Sequence, residues 1–184
     1  MKYKRVKLGE IADIAMGQSP KSQYYNNEGN GKPFLQGIRT FGENYPIIDT
    51  FTTKYKKLSK KGDILFSVRA PVGTVNWSEK EIAIGRGIAA ITIHDNYDPD
   101  CVYYYFKKYG NLFDKVATGT VFTSINKSEL SDLELNIPDS IYDQRKIGCK
   151  LKMIDNKIEL NKRINDNNPA LFVSLKAPHE RLVG

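Results

Sequence analysis

The feature that most constrains this chain is a long stretch near its C-terminus that favours a single helix. The stretch runs from Tyr142 to Asn168, contains no proline and one glycine, and is dense in Lys, Arg, Asp, Glu and Asn. A helix of about 27 residues would be about 40 Å long and could not bury an apolar stripe within itself. Apolar residues at heptad spacing form such a stripe: Ile147, Leu151, Ile154 and Ile158. We therefore predict a spacer helix whose apolar seam packs against a partner, from this chain or from another.

The same spacing places two asparagines on the seam, Asn161 and Asn165. A buried asparagine on a coiled-coil seam lowers stability but fixes register and partner number. The sequence thus predicts a spacer or dimerisation helix at residues 140–168. Residues 169–184, which contain Pro169 and Pro178, are an atypical tail. The tail could be a docking strand, a disordered end or foreign sequence.

The first 139 residues have the pattern of a β-rich globular domain. Short runs rich in β-branched and aromatic residues, bounded by Gly, Pro or Asp, predict strands: PFLQGI, GDILFSV, GTVNW and GIAAITI. The opening VKLGEIADI predicts a short strand that turns into a short helix, and residues Gly17 to Pro33 form a polar loop. The predicted fold class is α+β, a β-rich domain with short helices followed by the long spacer helix.

Two helices and a last strand complete this domain. Residues Pro99 to Tyr109 predict a helix that Asp98 caps and Gly110 ends. The three consecutive tyrosines of this helix, residues 103–105, could stack on bases, but we expect them to pack into a core. Ser124 or Asn126 then caps a short helix in KSEL, and LELNIP predicts a final strand.

Composition narrows the function classes. The formal charge of +7 suits a polyanionic partner or a solvated basic surface. Cys101 and Cys149 lack metal-ligand spacing and are expected to be free thiols in a reducing cytoplasm. No run approaches the ~20 apolar residues of a membrane helix, so we expect a soluble cytoplasmic protein without membrane contact.

The sequence offers little for catalysis. It contains neither GxGxxG nor GxxxxGK[ST] phosphate loops, and no GxSxG nucleophile motif. The nearest approach to the tetrapeptide of adenine methyltransferases begins Asn168-Pro169-Ala170 and lacks the second proline and the aromatic residue. We expect no catalytic residues, no metal site and no cofactor.

Six segments in order resemble a known family. They are VKLGEIADI, GKPFLQGIRT, GDILFSVRAPVGTVN, AIGRGIAAI, TGTVFTSINKSELSDLELNIP and QRKIGCKLKMIDNKIELNKRI. Over roughly residues 4 to 165 the chain resembles the specificity subunits of type I restriction-modification systems. Each motif is loose on its own, and the resemblance rests on all six in register.

This resemblance implies a target-recognition domain that reads one half of a split target in double-stranded DNA. It also implies methyltransferase subunits, with or without a restriction subunit, as partners that carry out the chemistry. Family members usually have two recognition domains and two spacer helices, whereas this chain has one of each. A homodimer formed through the spacer helix would restore that layout and predicts a palindromic, bipartite target. If the chain is instead part of a longer subunit, that symmetry is lost.

Base readout favours arginine for guanine, and asparagine or glutamine for adenine. Arginines at strand ends beside small residues are therefore predicted DNA contacts: Arg39, Arg69 and Arg86. Weaker candidates lie in two polar loops: Gln18, Ser19, Lys21, Thr118, Thr120 and Thr123. A lysine run between residues 54 and 61 could hold phosphates or simply be solvated.

Three other functions stay open from sequence alone. The chain could be a general nucleic-acid-binding module, a fragment of an enzyme, or a non-catalytic protein-interaction subunit without DNA readout. The missing motifs argue against the enzyme.

Overall fold

A computed structural model describes residues 1–113 and 124–166 of the chain. The chain divides into two compact units, one from Met1 to Gly148 and a second that begins at Cys149. The division falls within the long C-terminal helix rather than at residue 140, because the start of that helix packs on the first unit.

The predicted strands and helices occur in the predicted order, and the structure adds five strands that were not predicted. The strands are β1 (Tyr3–Lys7), β2 (Ala12–Met16), β3 (Tyr25–Asn26), β4 (Lys32–Leu35), β5 (Phe51–Thr52), β6 (Leu58–Ser59), β7 (Ile64–Ser67), β8 (Val75–Trp77), β9 (Ile82–Ile84), β10 (Ile88–Ile93) and β11 (Glu134–Pro138). The helices are α1 (Leu8–Ile11), α2 (Pro99–Phe113), α3 (Lys127–Ser131) and α4 (Ile141–Asp166). The strands that were not predicted are β2, β3, β5, β6 and β9. The mixed, β-rich fold class is confirmed. The polar loop predicted between Gly17 and Pro33 also contains a 3-10 turn, the short strand β3 and the start of β4.

The strands form three sheets. An antiparallel sheet has the order β2-β10-β7-β8, and a five-stranded sheet has the order β3-β5-β4-β9-β6. In the larger sheet β4 and β9 are parallel, whereas the other pairs are antiparallel. The third sheet pairs the first and last strands, β1 and β11. Chain segments that are distant in sequence therefore meet in every sheet.

The central strands of the four-stranded sheet, β7 and β10, are buried on both faces. Side chains alternate between faces along a strand, so Ile64 and Phe66 of β7 face the main core, whereas Leu65 faces the five-stranded sheet. In the main core, Phe66 packs edge to face on Phe106 of α2, with ring centroids 5.2 Å apart. Such burial on both faces explains why the strand segments read as nearly continuous apolar runs.

Helix α2 begins as predicted. The carboxylate of Asp98 accepts a hydrogen bond from the backbone N–H of Cys101 at 2.8 Å, which is an N-cap. Tyr103 is buried and stacks on Trp77 with ring centroids 4.5 Å apart. The tyrosines of residues 103–105 thus pack in or against the core, as expected.

The prediction that Gly110 ends this helix is wrong, because α2 continues to Phe113. A Cβ at Gly110 would lie 2.2 Å from the carbonyl oxygen of Gly73. The glycine is therefore required by a close backbone contact rather than by a helix stop.

Helix α3 has the predicted capping box, and Asn126 rather than Ser124 is its cap. The Asn126 side chain accepts from the backbone N–H of Glu129 at 3.1 Å, and the Glu129 carboxylate accepts from the backbone N–H of Asn126 at 2.8 Å.

Gln144 anchors the start of α4 to the first unit. Its side chain is fully buried. Its amide oxygen accepts from the backbone N–H of Asp98 at 2.9 Å, and its amide nitrogen donates to the carbonyl of Pro138 at 2.8 Å. One turn later, a Cβ at Gly148 would lie 2.4 Å from the Asp98 carboxylate. The segment QRKIG, whose role the sequence did not reveal, therefore joins α4 to the cap of α2 and the end of β11.

Both cysteines are free thiols, as predicted. Burial raises the pKa of the Cys101 thiol to about 11, so it stays protonated near neutral pH. In the part of the chain that the structure describes, no helix is long and apolar enough to cross a membrane.

We predict that Gln144→Ala lowers the free energy of unfolding by about 1–3 kcal/mol, because the buried carbonyl of Pro138 and the part-buried N–H of Asp98 both lose their partner. Urea denaturation of the full chain measures the change. Gln23→Ala, at an exposed position, is the matched control and should stay within about 0.5 kcal/mol of the wild type. Equal stability of the two variants would contradict the anchoring role.

Candidate functional site

Three strands of the four-stranded sheet have their ends at one edge. β10 begins at Ile88, which lies opposite Ser67, the last residue of β7. The next residue, Ala89, lies opposite Met16, the last residue of β2. The loops that follow β2 and β7 therefore leave the sheet beside the loop that enters β10.

Two strands of the five-stranded sheet reach the same place. β4 and β9 run parallel, and their last residues, Leu35 and Ile84, lie opposite each other. The short link of residues 85–87 connects β9 to β10 and thus joins the edges of the two sheets. The ends of five strands converge here.

Hydrogen bonds connect the loops at this edge. The backbone N–H of Gln18 donates to Ile84 at 2.9 Å, and that of Gly87 donates to Gln36 at 3.0 Å. The backbone N–H of Arg86 donates to the hydroxyl of Ser19 at 3.1 Å. We call residues 17–19, 36–37 and 85–87 the strand-end platform.

Glycines allow the three loops of the platform to touch. A Cβ at Gly17 would lie 2.1 Å from the carbonyl oxygen of Gly85, and one at Gly85 would lie 2.8 Å from the Cα of Gln36. A Cβ at Gly87 would lie 2.6 Å from the Gln36 carbonyl oxygen. The φ angles of these three glycines are not positive, so glycine is needed here for the close approach of the backbones and not for a left-handed conformation. The contacts fix the backbone from which the neighbouring polar side chains project.

Six of the predicted site residues lie around this platform, in three adjoining depressions. The first depression is lined by Arg69 and Arg86, the second by Gln18, Ser19, Lys21 and Arg86, and the third by Arg39. One residue, Gln36, lines all three. The structure therefore brings together side chains that are up to about 70 positions apart in the sequence.

Arg69 and Arg86 present uncompensated charge at the surface. Both side chains are exposed, and neither forms a hydrogen bond or an ion pair with another of the described residues. The backbone of Arg69 is nevertheless held, since its carbonyl accepts from the Ser67 hydroxyl at 2.7 Å and it pairs with Ser124. Fixed backbone and unpaired guanidinium together suit recognition of an external acceptor.

Arg39 differs from the other two arginines. Its guanidinium lies 2.6 Å from the carboxylate of Asp49. A hydrogen bond from the Thr50 hydroxyl has the largest effect on the pKa of the Asp49 carboxyl and lowers it. A hydrogen bond from the Arg39 guanidinium lowers this pKa further. Asp49 therefore stays ionised at neutral pH and offsets the charge of Arg39, so the positive charge of the site comes from the other cations.

Thr118, Thr120 and Thr123, the remaining predicted DNA contacts, lie outside the described residues. The described chain resumes at Ser124, which forms a β-bridge with Arg69.

The lysine run of residues 54–61 passes near the platform in its first half. The backbone N–H of Ile84, next to Gly85, donates to the carbonyl of Lys57 at 3.1 Å. The ammonium of Lys54 lies 4.6 Å from the ring centroid of Tyr24. The first part of the lysine run therefore lies beside β9, the strand that leads into the platform.

Sequence reasoning missed Gln36. This glutamine is exposed, directly follows the buried strand end Phe34-Leu35 and precedes Gly37. The same signal, a polar side chain at a strand end beside a glycine, led to the prediction of the arginines and could have found it.

The second unit contains most of the predicted seam. Leu151, Ile154 and Ile158 are 36–53% exposed, and Asn161 is exposed as well; Ile147 is half-buried in the first unit. A second apolar stripe, not predicted, lies on the opposite side of the helix and is also exposed: Met153, Leu160 and Ile164.

No group of three or more His, Cys, Asp or Glu side chains could hold a metal ion among residues 1–113 and 124–166. The chemistry offered by the platform is hydrogen bonding and positive charge. Amide and guanidinium groups held on fixed loops are typical of surfaces that bind nucleic acids.

Comparison with known proteins identifies the family. A model of the type I restriction modification DNA specificity domain matches residues 1–167. The chain therefore belongs to this family of DNA specificity domains.

Individual relatives agree. The chain is 37% identical over 176 residues to a protein of Methanocaldococcus jannaschii named as the specificity subunit of a type I restriction enzyme, MjaX, covering 88% of this chain and 41% of that protein. A solved structure concerned with the assembly of a type I restriction-modification system matches at a TM-score of 0.76 and 36% identity, over 94% of this chain and 43% of its own. The HsdS subunit of Thermoanaerobacter tengcongensis matches at a TM-score of 0.73 and 36% identity, over 88% of this chain and 39% of its own. This chain spans about two fifths of the length of these relatives.

We predict that Gly17→Ala lowers the free energy of unfolding by about 1–3 kcal/mol, because the new methyl group collides with backbone that cannot move aside cheaply. Gly37→Ala is the matched control, since a Cβ there meets nothing within 4 Å and its φ of −167° suits any residue. Thermal and urea denaturation of both variants measure the difference. If Gly17→Ala is as stable as Gly37→Ala, the platform is not tightly packed.

Proposed function

We propose that this chain is the sequence-specific DNA-binding component of a type I restriction-modification complex and reads one half of a bipartite target. The observation that supports it best is the strand-end platform, which carries the exposed side chains of Gln18, Gln36 and Arg86, with Arg69 beside it in the first depression. Among the described residues, none of these four side chains has a hydrogen-bond or ion-pair partner. Rigidly held guanidinium and amide groups are the side chains that distinguish guanine and adenine in the major groove.

The charge distribution supports this proposal. Phosphate contacts position a protein on DNA, and base contacts give specificity. Lys21 and the lysine run at residues 54–61 border the platform and suit phosphates, whereas Arg69 and Arg86 project from it. Because the guanidiniums of these two arginines lack carboxylate partners within the described chain, binding a polyanion requires no internal ion pair to be broken.

The helix α4 has a separate role in this proposal. The seam of Leu151, Ile154 and Ile158 is exposed and would be buried by the same seam of a second copy. Two copies related by a two-fold axis would hold two platforms apart on one DNA duplex, at a separation set by the helices. Methyltransferase subunits, and a restriction subunit where one is present, would perform the chemistry, and this chain would perform none.

The experiment that tests the function is a methylation map. The chain is co-expressed with its methyltransferase partner, and modified adenines are read across the genome. We expect a two-part palindromic motif, because the symmetry of a homodimer is mirrored in its site. An asymmetric motif would keep the specificity role but assign the second half-site to a different chain. Absence of any motif from an assembled, active complex would exclude base readout and favour the interaction-only alternative.

The arginines give a second prediction. Arg69→Ala and Arg86→Ala should each weaken binding to the mapped target by about 1–3 kcal/mol, without lowering Tm, because both side chains are exposed and have no partner among the described residues. Arg5→Ala removes the same charge from the exposed face of β1, lines none of the three depressions and serves as the control. Binding is measured by fluorescence anisotropy over a range of salt concentrations.

The set of DNA sequences that lose affinity distinguishes the possible roles of Arg69 and Arg86. A base contact relaxes specificity at one position, whereas a phosphate contact weakens all sequences alike and reduces the salt slope by about 1. A lower Tm with unchanged specificity would instead identify a structural arginine. Uniform binding of all sequences by the wild-type chain would favour the general nucleic-acid-binding module.

A further inference from the structure

Gln36 occupies a position that none of the predicted site residues shares. It lines all three depressions around the platform, whereas Arg69 lines only the first, Gln18 only the second and Arg39 only the third. The cationic side chains of Lys21, Arg69 and Arg86 line the first two depressions, which meet at the neutral amide of Gln36. A duplex that lays its phosphates against the outer cations would bring its groove, rather than its backbone, over Gln36.

The backbone of Gln36 is held on two sides. The carbonyl of the preceding Leu35 accepts from the N–H of Gly85 at 2.7 Å, and its own carbonyl accepts from the N–H of Gly87 at 3.0 Å. The absence of side chains at Gly85 and Gly87 lets these contacts form. Gly37, on the other side, leaves open space where a Cβ would stand. The side chain thus starts from a fixed point and has room for a base edge to approach.

The chemistry of the side chain selects the ligand. The Gln36 amide is exposed and has no hydrogen-bond partner among the described residues, so its donor and its acceptor are both available. A glutamine amide pairs with the N6 donor and N7 acceptor of adenine in the major groove. The neighbouring arginines present donors only, so they cannot form this two-way pair.

We propose that Gln36 is a specificity-determining residue that reads one adenine of the half-site in the major groove. This assignment rests on the proposed DNA-binding function and extends it to one residue and one base.

The test compares the wild-type chain with Gln36→Ala and Gln36→Glu, each assembled with the methyltransferase partner. The probes are duplexes carrying the mapped target, with each base pair replaced in turn. For Gln36→Ala we expect the preference for one A·T pair to fall by about 5- to 150-fold, the equivalent of one bidentate base contact, with the other positions unchanged. For Gln36→Glu we expect the preferred base at that position to change to cytosine, whose N4 amino group donates to a carboxylate. Gln23→Ala, at an exposed glutamine outside the depressions, should match the wild type.

A second probe identifies the contacted atom. Replacement of that adenine by 7-deazaadenine removes the N7 acceptor, and it should weaken binding of the wild type but not of Gln36→Ala. Unchanged base preferences in both Gln36 variants would overturn the assignment while leaving the proposed function intact. Equal weakening at every sequence would also overturn it, since it would show a backbone contact. A wild-type complex without any base preference would overturn the proposed function itself.

Discussion

The structure depends on the burial of β7 and β10 on both faces. One face of this strand pair packs on α2, α1, α3 and β11, and the other packs on β4 and β9 of the five-stranded sheet. A one-residue slip would move the side chains of each face into the opposite core, where their sizes do not match the space, so close packing on both faces fixes the register of the pair. The register then determines which loops meet at the edge of the sheets, and so determines the site. A change that loosens this pair would therefore move every loop of the strand-end platform together.

The platform shows how a protein can present flexible side chains from a rigid base. Its loops are joined by main-chain hydrogen bonds and by glycines that permit backbone-to-backbone contact, so most of the conformational cost of ordering them is met on folding rather than on binding. The cationic side chains attract a polyanion at long range, whereas the hydrogen bonds of the amides and guanidiniums act only at contact distance. Arg39, whose charge Asp49 offsets, contributes less to that attraction than Arg69 or Arg86. The three predicted arginines are thus not equivalent, although they look alike in the sequence.

The helix α4 connects the two parts of the proposed function. Gln144 joins its first turns to the end of β11 and to the cap of α2, with every polar atom of its amide group used within the core. Gln144 therefore supports the fold and also fixes where the spacer helix begins relative to β11 and α2. Beyond Gly148 the helix exposes two apolar stripes on opposite sides, one with Leu151, Ile154 and Ile158 and the other with Met153, Leu160 and Ile164. A helix with two such faces can contact more than one neighbour, which agrees with a proposed role as a spacer within a larger complex.

The sequence by itself determined the elements that depend on local chemistry. The cap at Asp98, the capping box of Asn126 and Glu129, the β-branched runs and the long proline-free helix were all predictable, because each arises from residues a few positions apart. It also marked Arg69 and Arg86 as polar residues at strand ends. Tertiary structure alone decided that Gly110 serves a contact with Gly73 rather than a helix end, that Gln144 is a buried anchor, and that Gln36 lies at the centre of the site. These three roles arise where segments far apart in the chain pair or touch, and a sequence pattern does not contain the pairing of one strand end with another.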